Sequence, residues 1–516
     1  MKKNNIPDIP VEKFSFVGDN DRLHDQKLDT KKIGYLRDAF NRFCKNKSSV
    51  VAAIIIMVLI AYAVFVPMFC ETSYSLSLRD TTYLNYTKLA PKNNLCVKLN
   101  LGFWDGSREM TLSEANLTYY QAIGQETGYE IIKEILEKNV STQGDITKIS
   151  YDARVDSYVS NGFTYMTLME EEYLAIQQWQ NETGKQIIFP AVASKTTKDP
   201  NIWYKINKKN VATLDKDGNL QPDYRVKGND GNYDSLRIPG DPGLEDPTAS
   251  DRYRYATITG DSSAVSYRCR VFLYNYFDYR YGFEPSFLFG TTSMGQDILT
   301  RLAAGARFSL LFAVCISLIN MFIGIIYGAI EGYYGGMVDM LMERFSDILS
   351  RVPFMIVATL FQLHLASKVG AIPSLLFAFV LTGWIGIAST VRMQFYRYKG
   401  QEYVLASRVL GASDTRIMFR HIFPNSLGTL ITSSVMIIPG VIFSESSLTY
   451  LGIVNLDSST MTSVGTMLAN ARDYLNTYPH IILFPSIFIS LLEIAFNLFG
   501  NGLRDAFNPS LRGADE

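Results

Sequence analysis

Histidine and cysteine are scarce in this sequence, with 4 and 5 among 516 residues and no close grouping of either. A zinc site is therefore not expected, and five cysteines do not make a disulfide framework. Recognisable catalytic loops are missing as well. No GxxxxGK followed by Ser or Thr is present, which excludes ATP hydrolysis by that route, and neither a GxSxG elbow nor an HExxH pair supports a hydrolase. The stretch DKDGN from Asp215 lacks the distal glutamate of a calcium loop and reads as a turn. No catalytic residue, metal, cofactor or nucleic-acid partner is expected for this chain.

Long apolar runs are what the sequence has in abundance, although a mean hydropathy of +0.04 hides them. Runs of about twenty apolar residues match the hydrocarbon thickness of a bilayer at helical rise. Six spans are predicted: Val50–Phe69, Phe308–Ile330, Val352–Ala366, Pro373–Arg392, Leu427–Phe443 and Ile481–Phe499. The third is short and interrupted by His364. The first is too long and too late for a signal peptide and should be retained. Lys31, Lys32, Arg37, Arg42, Lys45 and Lys47 precede it, which predicts a cytoplasmic N-terminus. An even number of crossings returns the C-terminus to the same side, where Arg504 and Arg512 agree. The loop between the fourth and fifth spans carries Arg392, Arg397, Lys399, Arg408, Arg416 and Arg420, as an inside loop should.

The chain thus divides into a cytoplasmic segment 1–49, a first transmembrane helix 50–69, an extracellular insertion 70–289, a transmembrane core 290–500 and a cytoplasmic tail 501–516. The insertion is far too long for a connector. Strand-like pieces (IIFPAVA from Ile187, YATITG from Tyr255) alternate there with helix-like ones (YEIIKEILEKNV from Tyr129). Asp217-Gly218, Pro239-Gly240 and GNDGNYD from Gly228 mark turns and loops. An α+β domain is expected, with tyrosines either in its core or on a binding surface. Cys96 and Cys269 both fall in it and an oxidising exterior would let them pair. Cys44, Cys70 and Cys315 read as plain thiols.

The inner loop 400–424 is the most informative segment. Glu402, Ala406 and Leu410 are four apart and share one side of a helix, with Tyr403 beside them. Gly411 should end that helix by adopting a left-handed backbone. Ser413 and Asp414 then offer a cap and a favourable charge for a second short helix. The result is a compact hairpin suited to a groove on a soluble partner.

This hairpin resembles the EAA loop of ABC importer permeases, with Ala406, Ser407, Gly411 and Pro424 at matching positions and Leu405 where that motif has Glu. Glu402-Tyr403-Val404 is similar to the EYV that precedes the motif in the peptide branch. GTTSMGQDILTRLAAGARFSL from Gly290 and EGYYGGMVDMLMERFSDILSRVPF from Glu331 resemble segments of the C-type oligopeptide and dipeptide permeases, with Thr292 replacing an Asp. ESSLTYLG from Glu445 and FNLFGNGLRDAFNPSLR from Phe496 do so too, with Asn501 replacing an Asp. The resemblance covers Gly290 to Arg512, the basic N-terminal segment and the first span, and leaves the insertion unassigned.

The resemblance implies an all-α polytopic membrane protein of the type I ABC importer fold, six transmembrane helices with an extracellular α+β insertion, in a bacterial inner membrane. It implies a B-type permease subunit as heterodimer partner, two ATPase subunits carrying the ATP and Mg, an extracellular binding protein and a peptide as cargo. Alternatives at this stage are a permease for nickel or another small solute, and a membrane-tethered receptor. Within the spans, Gly324 and Gly328 would let helices approach closely, and Pro439-Gly440 would kink the fifth. Glu445 and Glu493, in or at the edge of spans, are candidates for a pathway or subunit contact.

Overall fold

The computed structural model describes residues 35–69, 81–99, 102–143, 146–193, 198–207, 211–225, 253–259, 265–456 and 461–507. Cys70, Pro239-Gly240, the GNDGNYD stretch and Arg512 lie outside them. The described chain forms a helical bundle and an α/β domain inserted into it.

The bundle contains α1 (Tyr35–Lys45), α2 (Lys47–Phe69), α7 (Ile298–Tyr334), α8 (Gly336–Ser350), α9 (Phe354–His364), α10 (Ala371–Tyr398), α11 (Glu402–Val409), α12 (Asp414–Tyr450), α13 (Val464–Ala471) and α14 (His480–Phe507). Helices α2, α7, α10, α12 and α14 are long and apolar enough to cross a membrane, and α8 with α9, bent by 72°, forms a sixth candidate if counted as one span. Every predicted span falls within one of these helices except the third, which includes only the second limb of the bent pair and runs past its end. Asp297 starts α7 by accepting bonds from the backbone N–H groups of Leu299 and Thr300. α12 stays helical through Pro439, and a π-helical stretch occupies Ile417–Ile422.

Gly324, Gly328 and Gly332 line the face of α7 that meets α10. A Cβ on Gly324 would stand 2.7 Å from Ile387 Cβ, one on Gly328 would collide with the Ala388 carbonyl oxygen, and one on Gly332 would stand 2.7 Å from Phe395 Cβ. The anticipated close approach is present and extends one turn further than the pair first noted. Lipid offers no hydrophobic drive between helices, so contact of this closeness supplies the attraction.

The α/β domain contains α3 (Asn94–Lys98), β1 (Ser107–Ser113), α4 (Glu114–Thr127), β2 (Ile132–Gln143), β3 (Ile146–Asp156), β4 (Phe163–Met169), α5 (Glu170–Thr183), β5 (Ile188–Phe189), β6 (Ala256–Thr259), β7 (Ser266–Phe272) and α6 (Leu273–Tyr281). One antiparallel sheet has the order β1-β3-β2; in the other, β7 pairs antiparallel with β4, β5 and β6. Ser113 caps α4, and Gly128 and Gly184 end α4 and α5 in the left-handed conformation.

The stretch from Tyr129 that looked helical is strand β2. Two register shifts, at Ile132/Glu134 and Ile135/Glu137, break its alternation, and each extra residue mimics the three-to-four spacing of a helix. The strand expected from Ile187 is confined to Ile188–Phe189, whereas the one from Tyr255 is present as β6. Tyrosine serves mainly the core: Tyr86, Tyr158, Tyr173, Tyr204, Tyr255, Tyr267, Tyr274 and Tyr276 are buried. Cys96 and Cys269 are both free thiols, so the pairing expected as an option is absent. Cys269, on β7, points into the core, where burial pushes its thiol up and keeps it protonated at neutral pH.

Candidate functional site

The hairpin between α10 and α12 forms as anticipated. Helix α11 ends at Val409, Gly411 takes φ +80°, and the chain reverses into α12. Only Val404 of α11 is buried; it packs with Ile417, Met418, Ile422, Phe395 and Tyr333 in one apolar cluster. That cluster fixes the hairpin to the ends of α7 and α10, leaving its outer side in the open. Glu402, Tyr403, Ala406 and Leu410 are exposed, with Val409 and Leu410 at the tip 87% and 86% accessible. Two adjacent aliphatic side chains this open make the tip a candidate contact surface.

Several predicted residues differ in role. Ser413 occupies the N-cap position but its side chain makes no capping bond. Asp414 instead accepts a 2.6 Å hydrogen bond from the Tyr333 hydroxyl, which also accepts one from Arg408 at 3.3 Å. The second helix is not short, because it runs through the π-helical turn into α12. Pro424 lies near the start of the α-helical stretch that follows this turn, where its missing N–H costs little. Ser407 donates to the Tyr403 carbonyl, and Asn425 donates to the Tyr403 hydroxyl at 3.1 Å, tying the two limbs together. Burial raises the Tyr403 phenol, which keeps it neutral.

Sequence reasoning missed the group that anchors the hairpin's base. Arg392, counted before only as one of several inside charges, sits on α10 two turns before its end. Its guanidinium donates to both Asp339 oxygens (2.6 and 2.9 Å) and both Glu343 oxygens (2.9 and 3.1 Å) on α8, with Glu331 of α7 at 3.5 Å. Tyr396 donates to Asp339 at 2.6 Å, and Lys399 donates to the Gly332 carbonyl at 2.9 Å. Bidentate, charge-assisted bonds of this kind combine strength with fixed geometry. The signal available in the sequence was an acidic pair one helical turn apart, Asp339 and Glu343; nothing local named its partner.

Glu445 is fully buried in α12 and accepts from Ser309 of α7 (3.1 Å), Ser446 (3.4 Å) and Thr449 (3.3 Å). These bonds tie α7 to α12 inside the bundle. Glu493 is half-buried in α14 and makes no hydrogen bond or ion pair among the described residues. A cavity of about 670 Å³ opens between α10, α12 and α14, lined by Gly383, Gly428, Thr432, Gly500, Arg397 and Arg504 among others. Glu493 does not line it.

Residues 320–513 match the family described as binding-protein-dependent transport system inner membrane component, and residues 34–91 match the N-terminal TM domain of oligopeptide transport permease C. Neither match covers residues 92–319. The chain is 39% identical over 224 residues to the oligopeptide transport system permease protein of Bacillus subtilis strain 168, spanning 43% of this chain and 72% of that protein. It is 39% identical over 228 residues to the dipeptide transport system permease protein of the same organism, spanning 43% and 69%. It is 40% identical over 230 residues to the oligopeptide permease protein of Haemophilus influenzae, spanning 44% and 72%. A solved structure, an inward-facing form of the MetNI methionine ABC transporter, overlays with a TM-score of 0.34 at 14% identity, covering 40% of this chain and 96% of that one.

Proposed function

We infer, for a chain that belongs to the binding-protein-dependent transport system inner membrane components in their oligopeptide and dipeptide branch, that it is a permease subunit of an ATP-driven peptide importer. The arrangement proposed for it is the type I importer fold, with six crossings, both termini in the cytoplasm and the α/β domain outside. ATP and Mg are bound by two separate ATPase subunits, a B-type permease completes the pore, and an extracellular binding protein delivers the peptide.

The observation that carries the mechanism is the exposed Val409-Leu410 tip on the Gly411 elbow, held by Val404 to the bundle. An ATPase groove seated on that tip would push the hairpin as a lever when ATP closes the dimer. The Arg392 clamp then passes the movement from α10 to α8 and its bent partner α9. The peptide passes between the two permease subunits as the helices reorient.

The test is the double substitution Val409→Asp with Leu410→Asp in the assembled transporter. Both side chains lie in the open, so the bundle folds as before, while recovery of the ATPase subunits with this chain and peptide uptake both fall to background. Normal co-purification and uptake would refute the docking role. Gly411→Val, which places a β-branched residue at φ +80°, is expected to leave insertion intact and to uncouple ATP hydrolysis from uptake.

A further inference from the structure

We propose that the apolar surface formed by residues 94–99 and 102–104 of the α/β domain is a membrane-interfacial foot that rests in the headgroup layer beside the outer end of α14. This rests only on α7 and α14 being membrane spans.

The segment is too apolar for a surface facing water. Leu95 and Leu99 are each 68% exposed and Phe103 is 56% exposed, with Val97 and Trp104 also open. Single exposed apolar residues are ordinary, but five in so short a stretch require a cover. The charges between Asn93 and Gly106 are Lys98 and Asp105. Asp105 is held by Arg154 at 2.9 Å and lies 3.6 Å from Lys133. Lys98, exposed at the end of α3, has the long stem and cationic head suited to reach lipid phosphates.

The described residues of the foot are held in place by buried and backbone contacts. Cys96 is its one buried anchor in α3. Asn93 N–H donates to the Trp104 carbonyl at 2.8 Å, and Arg154 donates to the Gly102 carbonyl at 2.9 Å. Trp104 takes φ +51°, an unusual conformation for a bulky residue, with its ring 6.0 Å from that of Phe103. A strained backbone that leaves two aromatic rings in the open is held for contact rather than for core packing.

Its level relative to the bilayer follows from the contacts beneath it. Phe289 stacks on Phe484 of α14 at 4.1 Å, one turn into that span. Lys92 N–H donates to the Phe287 carbonyl at 2.8 Å, and Asn93, the next residue, holds Trp104. Phe103 and Trp104 also line one cleft with Tyr478, Pro479 and His480, the start of α14. Below it, α14 carries exposed Leu483, Ile487, Leu491, Ile494 and Leu498 at helical spacing, an apolar stripe running down the span. An aromatic pair and a lysine at the top of such a stripe have the composition of an interfacial belt. Continuity with that stripe favours lipid over a soluble partner as the occupant.

The experiment uses the full chain in nanodiscs of phosphatidylcholine and phosphatidylglycerol, with Cys44, Cys70 and Cys315 changed to Ser and a nitroxide on Leu95→Cys, Leu99→Cys or, as control, Leu174→Cys. Collision with oxygen should exceed collision with a water-soluble nickel chelate at positions 95 and 99, with the order reversed at the exposed control on α5. Adding Phe103→Glu with Trp104→Glu should shift position 99 toward the control. Chelate access at 95 and 99 equal to that at 174 would overturn the proposal, and so would loss of access to both reagents, which indicates a second protein surface as the cover. A spectrum at Leu99→Cys unaltered by the two glutamates would also overturn it.

Discussion

The α/β domain and the helical bundle hold together by different means, although one chain builds both. In the domain, rings pack on rings: Phe163, Phe189 and Phe272 meet at 4.9 to 6.0 Å, and Tyr173 stacks on Tyr267 at 4.4 Å. In the bundle, Gly324, Gly328 and Gly332 bring backbone against backbone. Water drives large apolar surfaces together, whereas between lipid-facing helices only close contact and polar bonds attract. Each region also has its ionic clamp. Arg270 of β7, wholly enclosed, forks onto both oxygens of Glu126 at 2.6 Å and lies 3.8 Å from the centre of the Phe163 ring. Arg392 makes the corresponding clamp in the bundle but stays partly open. The first fastens the core of the domain; the second joins helices that move in the transport cycle proposed above.

The largest expected effect breaks the domain alone. Glu126→Ala would strand the Arg270 charge in the core, at a cost of about 3–5 kcal/mol. Thermal unfolding followed by limited proteolysis should show cleavage confined to the α/β domain; simultaneous loss of the bundle would mean that the two regions form one cooperative unit. The converse is Gly328→Leu, which overpacks the α7–α10 contact at about 1–3 kcal/mol. Denaturation in detergent should lower bundle stability and leave the near-ultraviolet signal of the domain unchanged.

A third change sharpens the contrast between the two clamps. Arg392→Gln removes the charge from its bonds to Asp339 and Glu343, worth about 2 kcal/mol. Hydrogen exchange should rise in α8, and ATP hydrolysis should continue while uptake drops. Arg392→Lys should restore only part, because a single ammonium cannot reproduce the fork. Unchanged exchange and uptake would remove Arg392 from the proposed coupling.

The smallest effect is electrostatic and local to the domain. Lys185 donates to Asp278 at 2.7 Å and Glu284 at 2.8 Å. The Lys185 bond holds the Glu284 carboxyl below its ordinary range despite the opposing effect of burial. A depressed acid contributes stability that is full above its unfolded value and is lost as pH falls through the folded one. The contribution should be about 0.5 kcal/mol because both groups meet solvent. Glu284→Gln should abolish that acid-side slope in a melting series, and added salt should weaken it; a slope that survives the substitution belongs to another group.

Much of the hairpin between α10 and α12 was legible in the sequence, and the α/β domain was less so. Gly411, the four-residue spacing of Glu402, Ala406 and Leu410, and the apolar length of the spans are local signals that need no partner to be read. The strand β2 was mistaken for a helix because its two bulges imitate helical spacing. The tyrosines gave no sign of facing inward, since residue type does not say which side of a sheet is covered. Arg392 looked like one inside charge among several until α8 placed Asp339 and Glu343 opposite it.

The sequence by itself determined where apolar helices form, where the chain turns back, and which family the bundle belongs to, because hydropathy, glycine positions and motif spacing act over a few turns of chain. Only the tertiary structure decided which surfaces meet. Glycines on α7 acquire meaning against α10, Glu445 against Ser309, Arg270 against a glutamate 144 residues away, and the apolar foot against the top of α14. Those contacts join segments remote in sequence, and their energy depends on geometry and desolvation that no local pattern encodes.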